Sequence, residues 1–253
     1  MITGIVVALP EELRTLTSNK LIKGGSCLIS NNVLVIYSGT GPINASSATE
    51  YLISQGATKI ISWGCAAALS ETLKSGDLML ANGVIATEEN KAVPLSVNAN
   101  WHQHTKDLLS TFIKVHSGCL AESKSIVSSS QLKKQIHRNT SAIALDMESI
   151  AIAKVANNHT LPFLAIRVIA DPVEMNLPLA ISNSLNEQGE VSLSKLLLYL
   201  ANHPAELPGL IRLGLHFKAA TKTLKLIAKH LDTVTLYQET QQVDSPLNIN
   251  FSL

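Results

Sequence analysis

The 253-residue sequence contains 20 lysines and arginines against 19 aspartates and glutamates, so its formal net charge is +1. This balance argues against a broadly basic surface, and we expect no nucleic-acid partner. Three widely spaced cysteines without a CxxC pair exclude a disulfide framework and a recognisable zinc site, and they fit a reducing, cytoplasmic compartment.

Short apolar runs alternate with helical patterns along the first two thirds of the chain. The first run, 2–9, lacks a basic leader and stops at Pro10, so we expect a first strand instead of a signal peptide. Buried strands are predicted at 2–9, 27–30, 33–38, 59–63, 77–86, 142–145 and 163–170, and helices at 44–55, 104–115, 129–137 and 148–158. This alternation indicates an α/β sheet layered with helices.

The pattern becomes helical from residue 191 onward. Helices are predicted at 191–202 and 207–231, with a break at His203 and Pro204. We expect 1–190 to form the main α/β unit, 191–232 a helical extension of the same domain, and 233–253 a loose polar tail.

Three predicted strands end beside carboxylates. Glu12 follows the first strand, Glu148 follows the run that ends at 145, and Asp171 closes the run 163–170. Ligands of open α/β sheets bind at such strand ends. Taken singly, Glu12 and Glu148 are also typical of acids at helix starts, and Asp171, which precedes a proline, is also typical of a turn.

Two turns rich in small residues follow neighbouring strands. Residues 38–45 read Ser-Gly-Thr-Gly-Pro-Ile-Asn-Ala, and residues 63–68 read Trp-Gly-Cys-Ala-Ala-Ala, with Lys-Ser-Gly-Asp at 74–77. Turns of this kind let backbone N–H groups approach a ligand. A tight turn that merely requires glycine is the alternative explanation.

In order and spacing, these segments resemble the purine nucleoside phosphorylase and nucleosidase superfamily, especially the methylthioadenosine/S-adenosylhomocysteine nucleosidases. That pattern comprises an acidic cluster after the first strand, an SGxGxxNA turn, a TGxAGG turn with a KxGD segment, a VEMEG-type motif and a strand ending in SD. The matching segments are 10–12, 38–45, 63–68 with 74–77, 145–149 and 170–171. The resemblance implies a nucleoside phosphorylase-like catalytic domain, an α/β three-layer fold with a central mixed sheet flanked by helices, here followed by extra carboxy-terminal helices.

The resemblance also implies a role for each matched acid. Glu148 would hold two ribose hydroxyls, and Met147 would pack on the sugar face. Asp171 would donate a proton toward N7 of the leaving purine, while Glu12 would position and deprotonate the attacking water. These roles suit cleavage of an N-glycosidic bond, because its oxocarbenium-like sugar needs an activated nucleophile and a neutralised leaving group. Burial beside the apolar run 163–170 could raise the pKa of Asp171, as a leaving-group acid requires.

The turns depart from the family pattern in ways that affect the substrate. We expect three turn residues to contact the substrate: Ser38, Gly39 and Cys65. The position of a base-stacking aromatic falls near Ser125 and Ile126, so backbone groups and aliphatic contact are expected to recognise the base there. Phosphorylases of the superfamily place an arginine where this chain has Ile-Ser at 61–62, so water is favoured over phosphate as the nucleophile. We expect no metal and no cofactor.

The segments after Asp171 resemble the branch called hopanoid-associated phosphorylases, which has an ADPxxxxLP continuation and a Leu/basic helical tail. The matching segments are 172–178 and 203–208. This branch implies adenosylhopane as substrate, with adenine and ribosylhopane as products of hopanoid biosynthesis. The alternatives are a methylthioadenosine/S-adenosylhomocysteine nucleosidase, a phosphate-dependent purine nucleoside phosphorylase, and a non-catalytic nucleoside- or lipid-binding protein.

The helix predicted from Leu207 to Leu231 is amphipathic. Its apolar stripe follows i, i+3, i+4 spacing and consists of Leu210, Leu213, Phe217, Ala220, Leu224, Ile227 and Leu231. Lysines recur on another face, so the helix could lie in a membrane interface, peripheral on the inner face of the membrane. Packing on the core or on a dimer partner is the alternative, and we expect a homodimer.

Overall fold

The strands of the computed structural model, which describes residues 1–87, 94–184 and 192–237, belong to one mixed sheet. Their bounds are β1 Ile2–Val7, β2 Ser26–Ser30, β3 Val33–Tyr37, β4 Ala57–Ala68, β5 Leu78–Ala86, β6 Leu95–Ser96, β7 Val115–Glu122, β8 Ala144–Asp146 and β9 Phe163–Asp171. The strands β3, β1, β4 and β9 are parallel neighbours in that order. Their carboxyl ends therefore meet at one edge of the sheet.

The sheet also closes on itself around β4. Strand β9 pairs with both β4 and β5, and β5 connects through β7 and β8 back to β4. Because β8 is antiparallel to β4 and its Leu145 lies opposite Ala67, the chain after β8 returns toward the middle of β4. This closure brings the residues that follow β8 to the edge where β1, β3 and β9 end.

Helices flank the sheet. Their bounds are α1 Pro10–Leu13, α2 Pro42–Ser54, α3 Ala99–Ser110, α4 Ser130–Thr140, α5 Ser149–Asn158, α6 Leu179–Ser182, α7 Leu193–Asn202, α8 Leu207–Ala228 and α9 Leu231–Thr235. Helices α2 and α5 pack on each other and on β4, while α8 packs on β9. The predicted α/β fold with a central mixed sheet and additional carboxy-terminal helices is confirmed.

Some element boundaries differ from the sequence prediction. The helix predicted at 104–115 begins at Ala99, because the Asn98 side chain accepts a hydrogen bond from Trp101 N at 2.8 Å and caps it there. Strand β7 was not predicted, since histidine, serine and glycine interrupt its apolar pattern. Residues 63–68, expected to form a turn, continue β4 because β8 and β9 pair with them.

The apolar stripe of the last long helix faces the body of the protein. Ala220, Leu224 and Ile227 are completely buried, and Phe217 packs against the same core. The stripe therefore packs on β9 and its neighbours, which is the alternative that the sequence left open, and a peripheral membrane contact of this helix stays a prediction. Within the described ranges, no helix is long and apolar enough to cross a membrane.

The predicted polar tail begins later than expected. Residues 233–235 belong to α9, which the Lys59 Nζ atom holds by donating to Thr235 O at 2.6 Å. The indole of Trp101 donates to Val234 O at 2.7 Å, so two buried donors fix this segment. The rest of the predicted tail, 238–253, and the boundary at 190–191 lie outside the described residues.

Candidate active site

A cavity of about 630 Å³ lies where β1, β3, β4 and β9 end, within the range of small-molecule sites. Its wall contains five carboxylates, and among its described lining residues there is no lysine or arginine. The carboxylates are Glu11, Glu12, Asp146, Glu148 and Asp171. The predicted residues Met147, Cys65, Ser125 and Ile126 line the same cavity, together with apolar side chains of α8.

Glu12 is held at the end of β1 by two backbone donors. Its Oε1 accepts a hydrogen bond from Cys65 N at 2.7 Å, and its Oε2 accepts one from Leu9 N at 3.0 Å. Burial raises the pKa of Glu12, while the Arg167 guanidinium and these donors oppose that shift. A fixed carboxylate with a raised pKa is suited to accept a proton.

Gly64 allows this arrangement. A Cβ atom at this position would lie 2.5 Å from Arg167 Nη1 and 2.6 Å from Glu12 Oε1. Both charged groups therefore approach the backbone of β4 through space that any other side chain would fill. The glycine that the segment 63–68 shares with the family pattern, Gly64, is therefore required for steric reasons.

Arg167, in the middle of the apolar strand β9, is the centre of a buried polar network that we call the arginine cluster: Arg167, Asp146, Ser62 and Ser149. Its Nε donates to Asp146 Oδ2 at 2.7 Å, and its Nη2 donates to Ser62 Oγ at 2.5 Å and Ser149 Oγ at 3.0 Å. Ser149 Oγ also donates to Asp146 Oδ2. Burial would lower the pKa of Arg167, but Asp146, Glu148 and Glu12 outweigh it and raise that pKa.

Glu148 lies beside this cluster at the start of α5. Its Oε1 accepts a hydrogen bond from Gly41 N at 2.9 Å, which connects the turn after β3 to the helix after β8. Burial, followed by the charge of Asp146, raises the pKa of Glu148 to about 8. Hydroxyl donors that reached this carboxyl would stabilise its ionised form and lower the pKa again.

Asp171 emerges from β9 at a β-bulge. The register shift between Ala66 and Ala67 places Asp171, instead of Ala170, opposite Ala67. Such bulges change the direction in which a side chain points. Burial raises the pKa of Asp171 to about 6, against the opposing effect of Lys133, whose Nζ lies 2.6 Å from Asp171 Oδ2.

The predicted turn residues Ser38 and Gly39 do not line the cavity. Ser38 Oγ, which carries one proton, lies 2.8 Å from Gly39 O and 3.1 Å from Val7 O, so it connects the ends of β1 and β3 instead of facing a ligand. Gly39 supplies the turn itself, with a φ of 77° that favours glycine. The neighbouring Thr40 lines the cavity, and its buried hydroxyl has no hydrogen-bond partner among the described residues.

Two cations near the carboxylates were missed by sequence reasoning. Arg167 carried a signal, because a lone charge inside an otherwise apolar strand needs buried partners. Lys133 carried none, since it lies next to Lys134 in an ordinary polar helix. Its burial depends on how α4 packs against the chain that follows β9.

Comparison with known proteins places the chain in a family. The model of the phosphorylase superfamily matches residues 3–197. The chain belongs to the phosphorylase superfamily. The sequence resemblance to that superfamily is confirmed.

Curated relatives of this superfamily member include 5′-methylthioadenosine/S-adenosylhomocysteine nucleosidases. That of Buchnera aphidicola is 28% identical over 211 residues, covering 70% of this chain and 90% of the relative. That of Staphylococcus haemolyticus is 25% identical over 221 residues, covering 76% of this chain and 95% of the relative.

Solved structures show the same fold at lower identity. The 5′-methylthioadenosine/S-adenosylhomocysteine nucleosidase of Neisseria meningitidis, in complex with methylthio-immucillin-A, has a TM-score of 0.69 at 19% identity, covering 92% of this chain and 99% of that chain. Futalosine hydrolase of Helicobacter pylori has a TM-score of 0.67 at 18% identity, covering 92% and 96%.

Proposed function

We propose that this phosphorylase-superfamily protein is an N-glycosidase that hydrolyses a 5′-substituted adenosine and releases adenine. The observation that carries the proposal is the placement of Glu12, Glu148 and Asp171 around one cavity, each in a different electrostatic environment. Two carboxyl groups with different partners can serve as acid and base in the same reaction. The nucleosidase relatives support the same reaction class.

The roles that the family resemblance implies for these groups give the following reaction. Asp171 transfers its carboxyl proton to N7 of the purine as the C1′–N9 bond breaks and its electron pair moves to N9. A water oxygen forms the new bond to C1′, and Glu12 accepts a proton from that water. Glu148 accepts hydrogen bonds from the ribose hydroxyls, which strengthen as the sugar becomes oxocarbenium-like.

The charge of the cavity favours water over phosphate. A phosphate dianion needs a guanidinium or a comparable donor set, and Arg167 is already shared among Asp146, Ser62 and Ser149. Among the described lining residues no lysine or arginine would offset the charge of a dianion, and acidic side chains surround the cavity, whereas a neutral water needs no counter-charge.

We propose a lipid-linked adenosine as the preferred substrate, with adenosylhopane as the specific candidate. Leu213 and Phe217 of α8 contribute to the cavity wall, and Leu9, Pro10 and Leu177 add further apolar surface. An apolar 5′ substituent would find partners there. The segments 172–178 and 203–208 resemble the hopanoid-associated branch and supply the rest of the argument.

The exposed side of α8 fits a lipid surface. Leu207, Ile211 and Leu215 recur every four residues near the amino end of the helix, and each is about half exposed or more. At about 100° per residue they share one face, opposite to the side that carries Leu213 and Phe217. Two sides of this helix are therefore apolar, and one of them has no cover among the described residues.

Lysines continue this exposed face toward the carboxyl end of α8. Lys218, Lys222 and Lys225 are exposed and fall on the same side of the helix as Leu207. An apolar end followed by cations matches a bilayer with anionic headgroups, where each lysine would add about 1 kcal/mol of attraction. The occupant we propose for this face is therefore the membrane surface from which a lipid-linked substrate would come. The homodimer expected from the sequence stays a prediction.

The substrate assignment can be tested by following adenine. Purified protein is incubated with adenosylhopane in vesicles and with methylthioadenosine, with and without phosphate, beside Asp171→Asn as an inactive control. The proposal predicts phosphate-independent release from both, with higher kcat/KM for adenosylhopane. Release from methylthioadenosine alone would favour the soluble-nucleosidase alternative, and no release from any adenosine would favour the binding-protein alternative.

The lipid surface has its own test. A variant with Leu207, Ile211 and Leu215 changed to serine should lose most of its sedimentation with anionic vesicles while cleaving methylthioadenosine normally. The matched control changes Ile22, Leu28 and Ile43, which are exposed elsewhere to a similar degree or more. Equal vesicle binding by the two variants would contradict the proposed surface.

A further inference from the structure

Lys133 is a completely buried lysine that contacts the candidate acid from outside the cavity. Its Nζ lies 2.6 Å from Asp171 Oδ2, 2.9 Å from Met175 O and 3.1 Å from Pro172 O. An ammonium group has three N–H donors, so these three acceptors satisfy it. The next residue, Lys134, is instead partly exposed and pairs with Glu71 at 2.7 Å.

The two carboxyl oxygens of Asp171 differ in their hydrogen-bond partners. Oδ2 accepts from Lys133, whereas Oδ1 is buried and has no hydrogen-bond partner among the described residues. Buried polar atoms without a partner are rare in native proteins, and they occur where a ligand completes the site. Asp171 lines the cavity, so a rotation of its carboxyl group would bring Oδ1 to a purine nitrogen bound there.

We propose that Lys133 is a positioning residue for the N-glycosidase reaction. It holds Asp171 Oδ2 so that Oδ1 presents the transferable proton. Its charge stabilises the carboxylate that remains after the transfer. The proposal rests on Asp171 being the acid of the proposed function. It does not depend on whether the substrate carries a lipid.

Lys133 itself neither donates nor accepts a proton in this reaction. The Oδ1–H bond of Asp171 breaks, the N7–H bond of the purine forms, and the electron pair of C1′–N9 moves to N9. Asp171 becomes a carboxylate beside the Lys133 ammonium, and it takes a new proton from solvent after adenine leaves. Lys133 stays protonated throughout and stabilises the charge that develops on Asp171.

The charged groups around this pair determine the sign of the pH effect. Lys133 is the charge that acts on Asp171 among the described residues, and it lowers the pKa of that carboxyl against the larger effect of burial. Burial lowers the pKa of Lys133, while Asp171 and the exposed Glu174 raise it. Removing the ammonium therefore leaves burial unopposed, so Asp171 would keep its proton to higher pH and be a weaker acid.

The test is the pH profile of kcat/KM for adenine release from methylthioadenosine. Wild-type activity should fall as pH rises through the pKa of Asp171, near 6. In Lys133→Met this alkaline limb should move up by at least about one pH unit, and the maximum rate should fall about tenfold or more, because the acid is weaker. Lys133→Arg should keep the limb near its wild-type position, and Lys134→Met should leave both quantities unchanged.

A purely structural role predicts a different result. If Lys133 only anchors the carbonyls of Pro172 and Met175, Lys133→Met would lose activity equally at all pH values, and its limb would not move. That result in a folded variant would overturn the proposal. If Lys133→Met does not fold, Lys133→Gln, which keeps a donor but not the charge, is used for the same comparison.

A measurement on the side chain itself separates this proposal from the proposed function. The ¹⁵Nζ signal of Lys133, assigned with Lys133→Arg, should shift in Asp171→Asn and stay unchanged in Lys134→Met. An unshifted signal would overturn the ion pair, whatever the activity. A shifted signal in a protein that releases no adenine would contradict the proposed reaction and Lys133's role in it.

Discussion

The arginine cluster and the Asp171–Lys133 pair hold their carboxylates in opposite ways. Arg167 connects one carboxylate and two hydroxyls directly, and Glu12 and Glu148 take backbone donors beside it. Asp171 has one lysine on one oxygen and an unpartnered second oxygen. The arginine cluster is therefore fixed before substrate binds, whereas one oxygen of Asp171 is left open for proton transfer.

The largest effect should come from breaking the arginine cluster. Arg167→Met leaves the buried Asp146 without its ionic partner, and loss of one member of a buried ion pair costs about 3–5 kcal/mol of unfolding free energy. Urea denaturation measures this loss. Arg212→Met removes an exposed arginine and should change the same quantity by less than about 0.5 kcal/mol. Similar values for the two variants would mean that the cluster does not stabilise the fold.

Changing Asp171 should act mainly on activity, because an asparagine amide oxygen can still accept the hydrogen bond from Lys133. Asp171→Asn removes the transferable proton, and adenine release should fall by about 10²- to 10⁴-fold. A riboside with a nitrophenolate leaving group, which departs without protonation, should lose much less. Equal losses for both substrates would contradict the assignment of Asp171 as the acid.

A smaller effect is expected where the arginine cluster touches β4. Gly64→Ala places a Cβ against Arg167 Nη1 and Glu12 Oε1, and overpacking of this kind costs about 1–3 kcal/mol. Because Glu12 must shift, kcat for adenine release should fall more than KM rises. Gly214→Ala, where a Cβ meets open space inside α8, is the matched control; it should leave kcat unchanged and raise stability by up to about 1 kcal/mol. A fully active Gly64→Ala enzyme would show that the position of Glu12 is not critical.

A pH-dependent effect on stability is expected from Glu122, a carboxyl group near the arginine cluster. Burial, and then the charge of Asp146, raises the pKa of Glu122 to about 7, and its Oε2 accepts from Ala151 N at 2.9 Å. Between pH 4.5 and about 7 the folded state keeps a proton that the unfolded state has lost, so stability falls as pH rises. Glu122→Gln should reduce the fall of the unfolding free energy with pH by at most about 1.4 kcal/mol per pH unit. Glu11→Gln should leave that dependence unchanged. If Glu122→Gln leaves the dependence of stability on pH unchanged, Glu122 is not the group that holds the extra proton in the folded state.

The sequence predicted the residues that carry a local pattern. Apolar runs located β1, β3 and β9, and the ordered motifs placed Glu12, Met147, Glu148 and Asp171 around one cavity, as the structure has them. Ser38 and Gly39 were assigned to the wrong surface, because a turn motif does not indicate which of its atoms the neighbouring strand uses.

What the sequence could not predict depends on contacts between distant segments. The partners of Arg167 come from β4, β8 and α5, which meet because the sheet closes around β4. Lys133 and Lys134 look alike in sequence, and packing alone buries one of them. The stripe of α8 was read correctly as apolar, but its partner proved to be β9.

The source of the oxygen in the sugar product distinguishes hydrolysis from phosphorolysis. The protein is incubated with methylthioadenosine in H₂¹⁸O, with and without phosphate. If water is the nucleophile, adenine is released without phosphate and one ¹⁸O atom appears at C1 of the released sugar. Release that requires phosphate and yields a sugar 1-phosphate without ¹⁸O would contradict it.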